Sequence, residues 1–290
     1  MKRTKQNRKA SAILTGDYHL QEGQPVARTD NFWEVQWNKV QFISELQQEH
    51  ECPVIHSGDL FDHWKPSPML LAKAIEFLPA QFWTVYGNHD LPQHNLELAY
   101  KCGINVLEKS GKLQVLKGNH WGQDCEKQAF YNLPKIAVWH VMTYQGKKPW
   151  PDCKDPMAAK ILRKYPQYDL ILTGHNHKPF VERYEGRLLV NPGSIFRTHA
   201  SQEDHKPRVY LWYAETNEVE AVYLPIEENV ISREHIEVKQ QRDNRIDAFI
   251  SGLDTEFEVD LSFEKNLEKF FQANEVKEDV KEIILKSIES

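Results

Sequence analysis

The chain has 290 residues, 40% of them hydrophobic and 27% charged, with a formal net charge of −6. That is the balance of an ordinary globular protein long enough to bury a full core. No run approaches the roughly 18 apolar residues of a membrane helix, so no spanning segment is expected. The charge is uneven: residues 226–290 carry 9 basic and 17 acidic side chains and residues 1–225 carry 27 and 25, so the body of the chain is not biased against an anionic substrate.

The opening MKRTKQNRKA forms a basic tail over residues 1–10, open to contact with nucleic acid or simply solvated. The short apolar run behind it lacks the core of a secretory signal, which predicts a cytoplasmic protein. Cys52, Cys102, Cys125 and Cys153 are widely spaced with no CxxC pair, and read as reduced thiols in keeping with that compartment.

Through the first half, short apolar runs ending in Gly alternate with amphipathic segments, the rhythm of an α/β fold. SAILTGD predicts a strand, and NFWEVQWNKVQFISELQQEHE a helix with Phe32, Val35, Val40, Ile43 and Leu46 on one face. CPVIHSGD predicts a second strand; SPMLLAKAIEFL a helix opened by Ser67 as N-cap with Pro68 behind it; QFWTVYGNHD a third strand. Strand signals then dominate: INVLE, KLQVLKG, KIAVWHVMT and YDLILTGH, followed by two segments with internal turns, PFVERYEGRLLVNPGS and PRVYLWYAETNEVEAVYLP, which predict hairpins. Together these give a domain over 11–225 with two sheets and helices outside. Residues 226–290 form an acidic extension in which FEKNLEKFFQ and VKEDVKEIILKSI predict two amphipathic helices, packed on the core or docked to a partner.

Metal-binding residue types collect behind the strands. Asp17 and His19 follow the first, Asp59 the second, Asn88 and His89 the third; His140 lies in or after IAVWHVMT, and His175 and His177 follow LILTG. The carboxyl ends of strands in an open α/β sheet line one crevice, so residues far apart in sequence converge there. Each fragment alone is weak; five strand ends together make a constellation.

Through GDYH at 16–19, GDLFD at 58–62, GNHD at 87–90, His140 and GHNH at 174–177, residues 11–225 resemble the calcineurin-like metallophosphoesterases. The resemblance implies a four-layer αββα sandwich with a dinuclear metal centre. Asp17, His19 and His177 would hold one ion, Asn88, His140 and His175 the other, and Asp59 would bridge them. It also implies that His89 faces the substrate, as general acid or charged stabiliser, with Asp90 orienting it. Asp62 would serve as an acceptor behind a ligating histidine. Imidazole, amide and carboxylate ligands suit manganese, iron or zinc better than calcium. Two such ions against two carboxylates leave an excess of positive charge that attracts a phosphoryl oxygen and acidifies a shared water.

Within the family, GDLFDHWKPSP and NPGSIFR are most similar to the SbcD-type DNA-repair exonucleases. That similarity implies a manganese-dependent nuclease working with a coiled-coil ATPase, here through 226–290. The roughly 65 residues behind the core depart from the larger capping domain of that branch. Arg28, Lys147, Lys148, Trp150 and Arg197 are candidates to grip phosphate or stack a base, the loop of Lys147 to Trp150 being equally readable as solvated. The alternatives are a small-nucleotide phosphodiesterase, a phosphomonoesterase or protein phosphatase, and a partner-docking subunit whose own catalysis is secondary.

Overall fold

A computed structural model describes residues 8–121, 134–253 and 263–288. In chain order the elements are β1 (Ala12–Thr15), α1 (Phe32–His50), β2 (Val54–His56), α2 (Pro68–Phe77), β3 (Phe82–Thr84), α3 (Gly103–Lys109), β4 (Gln114–Val115), β5 (His120–Trp121), β6 (Ile136–Trp139) and α4 (Ala158–Lys164). There follow β7 (Leu170–Thr173), β8 (Phe180–Tyr184), β9 (Arg187–Asn191), β10 (Arg208–Tyr213), β11 (Glu218–Tyr223), α5 (Glu234–Leu253), α6 (Phe263–Ala273) and α7 (Glu278–Ile288).

The strands form two sheets, ordered β11-β10-β1-β2-β3-β4 and β5-β6-β7-β9-β8. In the first, β1 to β4 run parallel and β10 and β11 return antiparallel as a hairpin. In the second, β6, β7 and β9 are parallel, with β5 and β8 antiparallel at the edges.

Alternation along the strands decides the layering, because successive side chains point to opposite faces. Ala12 and Leu14 of β1 enter the core between the sheets with Ile55, Val138, Leu172, Val190 and Trp212. Ile13 enters the other core, against Val40 and Ile43 of α1, Leu70 and Ala74 of α2 and Ile104 of α3. On the far side of the second sheet, Ala158, Ile161 and Leu162 of α4 pack on Ile171 and Leu189. The result is helix, sheet, sheet, helix, the expected α/β sandwich.

Three local readings change. INVLE is not a strand: Ile104 and Leu107 are buried three residues apart while Val106 is 46% exposed, and the segment closes as α3. A short apolar run does not by itself separate strand from helix. The buried face of α1 runs Phe32, Gln36, Lys39/Val40, Ile43 and Gln47, so polar side chains share it where an apolar stripe was expected. α4 and α5 carried no clear periodic signal and were not anticipated. The cap at α2 is as expected, with Ser67 accepting from the Leu70 N–H.

The chain divides into two compact units, 1–232 and 233–290. The first reaches past β11 because Ser232 N–H donates to the Ala27 carbonyl and Thr29 N–H to that of Val230. In the second, Leu267, Phe270 and Phe271 of α6 form a small core with Val276 and Ile284. Cys52, Cys102 and Cys153 are buried free thiols; Cys125 and most of the basic tail lie outside the described residues. Of that tail, Arg8 donates to Thr216 and stacks on the Tyr213 ring, while Lys9 pairs with Glu51. No described helix is long and apolar enough to cross a membrane.

Leu172 is fully buried between the sheets. Leu172→Ala is expected to cost about 3 kcal/mol through the cavity it leaves, read as a lowered urea midpoint. Val26→Ala, at a position 75% exposed, should change stability by less than about 0.5 kcal/mol.

Candidate metal centre

Every candidate ligand sits just past the carboxyl end of a strand. β1 delivers Asp17 and His19, β2 delivers Asp59, β3 Asn88 and His89, β6 His140, and β7 His175 and His177. Four of them hold left-handed backbone: Asp17 at φ 50°, His19 at 47°, Asp59 at 57° and His175 at 71°. Such conformations cost an L-residue on the order of 1–2 kcal/mol each, and here they turn consecutive side chains into one crevice.

The ligand-type atoms of these side chains converge. His19 Nε2 and His177 Nε2 lie 3.1 Å apart. His140 Nε2 is 3.1 Å from both Asn88 Oδ1 and Asp59 Oδ2, and His175 Nδ1 is 2.8 Å from the same Asn88 oxygen. Asp59 Oδ2 also lies 3.5 Å from His19 Nε2, so one carboxylate faces both groups. Asp17 uses Oδ1 to accept from the His175 N–H at 2.9 Å, and its buried Oδ2 has no partner among the described residues. An orphaned buried carboxylate oxygen beside two clustered imidazole nitrogens is a donor set that a cation would satisfy.

The electrostatics point the same way. Burial alone raises Asp59, but the hydrogen bond and charge of His140, and then His19, hold it well below the usual carboxylate range. Burial lowers His140, and Asp59 overrides it to bring the imidazole up to about 9. Burial pushes His177 down to about 4 and lowers His175. Protons and divalent cations compete for such atoms, so a cation would displace the proton shared by Asp59 and His140.

Missing side chains make the approach possible. A Cβ on Gly87 would stand 2.1 Å from Asp59 Oδ1, and one on Gly174 2.8 Å from His140 Nδ1. Gly193, in NPGS, would meet the His177 carbonyl at 2.7 Å, and Ser194 N–H donates to that carbonyl. NPGS therefore braces the turn carrying His175 and His177. Asn176 is turned away, its amide donating to the Thr143 carbonyl.

Asp90 does not orient His89, contrary to expectation. Its buried carboxylate accepts the backbone N–H groups of Asp59 (2.8 Å), Leu60 (3.1 Å), Phe61 (3.1 Å) and Gly87 (2.9 Å). Burial and then the Asp59 charge push it up to about 6 against those donors. His89 is held instead by the Asp62 carbonyl, 2.8 Å from Nδ1, and stands edge-on to the His19 ring at 4.6 Å. The Asp62 carboxylate lies 3.5 Å from His19 Nδ1.

The expected substrate-gripping residues are not brought together here. Lys147, Lys148 and Trp150 are exposed on their loop, and Arg28 and Arg197 are buried, 6% and 5% exposed, in a separate cluster. The cleft beside Asn88, His140 and His175 has a volume of about 760 Å³ and is lined by Leu91, His94, Trp139, Met142, Lys164 and Tyr165. Sequence reasoning missed these six. Trp139 directly precedes His140, which was the available signal; Lys164 and Tyr165 end a helix that was not anticipated.

Gly87→Ala, whose Cβ would also meet the Asp59 backbone nitrogen at 2.4 Å, is expected to displace Asp59 and abolish tight metal uptake, checked by elemental analysis after dialysis. Asp90→Ala strands four buried N–H groups and should cost about 3–5 kcal/mol, with Asp90→Asn milder, both measured by denaturant unfolding.

Residues 12–216 match the model of the calcineurin-like phosphoesterase superfamily domain. A probable metallophosphoesterase of Methanocaldococcus jannaschii is 26% identical over 122 residues, 40% of this chain and 59% of that protein; the chain thus spans less than two thirds of the curated relative it matches. A solved structure described as a novel archaeal phosphodiesterase aligns at 15% identity and TM-score 0.42 over 73% of this chain and 99% of its own. Vacuolar protein sorting 29 of Cryptosporidium parvum aligns at 16% and 0.35 over 75% and 97%. The match over residues 12–216 establishes that the chain belongs to the calcineurin-like phosphoesterase superfamily.

Proposed function

We propose that the protein is a two-metal phosphodiesterase acting on nucleic acid, a DNA nuclease of SbcD type, with manganese preferred over iron or zinc. The observation that supports this reading is Asp59, whose Oδ2 lies 3.5 Å from His19 Nε2 and 3.1 Å from His140 Nε2. Held by Asp17, His19 and His177 on one side and by Asn88, His140 and His175 on the other, with Asp59 shared, two divalent cations would supply Lewis-acid stabilisation of phosphoryl charge and an acidified water.

The chain's own residues supply the rest. His89 donates through Nδ1 to the Asp62 carbonyl; in its imidazolium form Nε2 carries the second proton, which it would give to the departing ester oxygen, leaving the neutral ring. Trp139 and Tyr165, with ring centroids 4.9 Å apart, offer aromatic surface to a base beside the scissile phosphate. Lys164 and His94 in the same cleft are placed for a neighbouring phosphate. The acidic helices of 226–290, whose α7 leaves Val280 42% and Ile283 68% exposed, would dock a coiled-coil ATPase or another protein.

A small-nucleotide phosphodiesterase is the second reading. The cleft of about 760 Å³ falls within the range of small-molecule sites.

The manganese-loaded protein should be assayed on single- and double-stranded DNA, cyclic nucleotides and p-nitrophenyl phosphate. Manganese-dependent DNA cleavage is expected. His89→Gln should lower kcat by about 10²–10⁴-fold with bound metal unchanged. Cyclic-nucleotide turnover without DNA cleavage would favour the second reading, and turnover of p-nitrophenyl phosphate alone would reject both.

A further inference from the structure

The same 1–232 unit holds a second charged cavity that shares no lining residue with the metal centre. Arg28, Lys39 and Arg197 are 6%, 3% and 5% exposed. Arg28 donates through Nε to Asp30 Oδ1 at 2.7 Å and through Nη2 to Asp30 Oδ2, while its Nη1 donates to the Arg197 carbonyl at 3.2 Å. Lys39 Nζ donates to the Ile195 carbonyl at 3.1 Å and lies 5.6 Å from the Phe196 ring centroid. Arg197 donates through Nη1 to the Glu203 carbonyl at 3.2 Å and through Nη2 to the Glu227 carbonyl. Its buried Nε has no partner among the described residues.

Among the described residues the carboxylate paired within this cluster of three cations is that of Asp30, on Arg28, the Glu203 charge acting on Arg197 more weakly. Glu203 and Glu227 contribute backbone carbonyls, and both residues are exposed, where water screens their charge. Burying uncompensated like charges is unfavourable, and the strain registers on the amine: burial, then Arg28 and Arg197, lower Lys39 to about 7. Among Arg28, Asp30, Asn38, Lys39, Arg197 and Glu227 lies a cavity of about 110 Å³. It has room for an inorganic oxyanion and not for a nucleoside.

We propose that this cavity binds a tetrahedral dianion of the phosphate class, with Arg28, Lys39 and Arg197 as its ligands. With Lys39 protonated the cations exceed Asp30 by two charges, which a dianion would cancel while giving Arg197 Nε and the remaining Lys39 protons an acceptor. It would also tie four segments together: the loop at 28–30, α1, the loop at 195–197 and the segment at 225–227. The inference stands on this cluster alone and does not depend on the nucleic-acid reading of the metal centre.

The test is calorimetric titration of the full-length Asp59→Asn protein, metal-free, with sodium phosphate at constant ionic strength, chloride serving as blank. That background removes phosphate binding at the metal centre. One phosphate per chain is expected, with a matching rise in melting temperature. Sulfate should compete and a nucleoside 5′-monophosphate should not. Lys39→Met keeps the packing volume and removes the charge, so it should fold and weaken phosphate by about tenfold or more, whereas Lys39→Arg should retain it. No uptake of phosphate, uptake unchanged by Lys39→Met, or preference for the nucleotide would each overturn the proposal.

Discussion

Asp59 is the constraint on which the rest of the centre depends. It must approach His140 and His19 while sitting on a left-handed turn, and nothing at Gly58, Gly87 or Gly174 stands in the way. Asp90 secures the arrangement from beneath by taking the N–H groups of residues 59 to 61 and of Gly87 on one carboxylate. Two loops from neighbouring parallel strands are thereby fastened to each other before any ion arrives. The His89 N–H completes the hold by donating to Asp59 Oδ1 at 2.9 Å.

That fastening works against strain. Four candidate ligands in left-handed backbone cost a few kcal/mol together, about what burial of two or three leucine side chains contributes. Burial in the inter-sheet core offsets part of that cost. His56 lies under the site, fully buried and pushed by burial down to about 3. Its neutrality keeps positive charge out of the support beneath the metal crevice.

The polar side chains on the buried face of α1 have a related logic. Lys39 occupies a helical position that an apolar residue would fill with less penalty, and it reaches a carbonyl of the segment behind β9 rather than solvent. Asp30, one residue ahead of the α1 N-cap Asn31, holds Arg28. The charged cluster joins the start of α1 to the chain that follows NPGS, the motif bracing His177. A ligand in that cavity would therefore bear on the support of the turn carrying His175 and His177 without touching a candidate metal ligand.

The order of motifs and their position behind strands were legible from the sequence alone, because D-x-H, G-D, G-N-H-D and G-H-x-H announce both their chemistry and the turns that free them. So were both hairpins and the first two helices, whose caps and turns are local. Arg28 and Arg197 read as candidates to grip a substrate phosphate because burial is not a local property; only the fold shows them buried beside Lys39. INVLE misled because five apolar-rich residues fit either period, and packing of Ile104 and Leu107 decided for a helix. Asp90 stood next to His89 in sequence, yet tertiary structure gave its carboxylate to four backbone amides and gave His89 to Asp62. Neighbourhood along the chain specifies turns and residue types. Which acceptor a buried donor finds depends on distances set by two sheets packing face to face, and only the tertiary structure contains those distances.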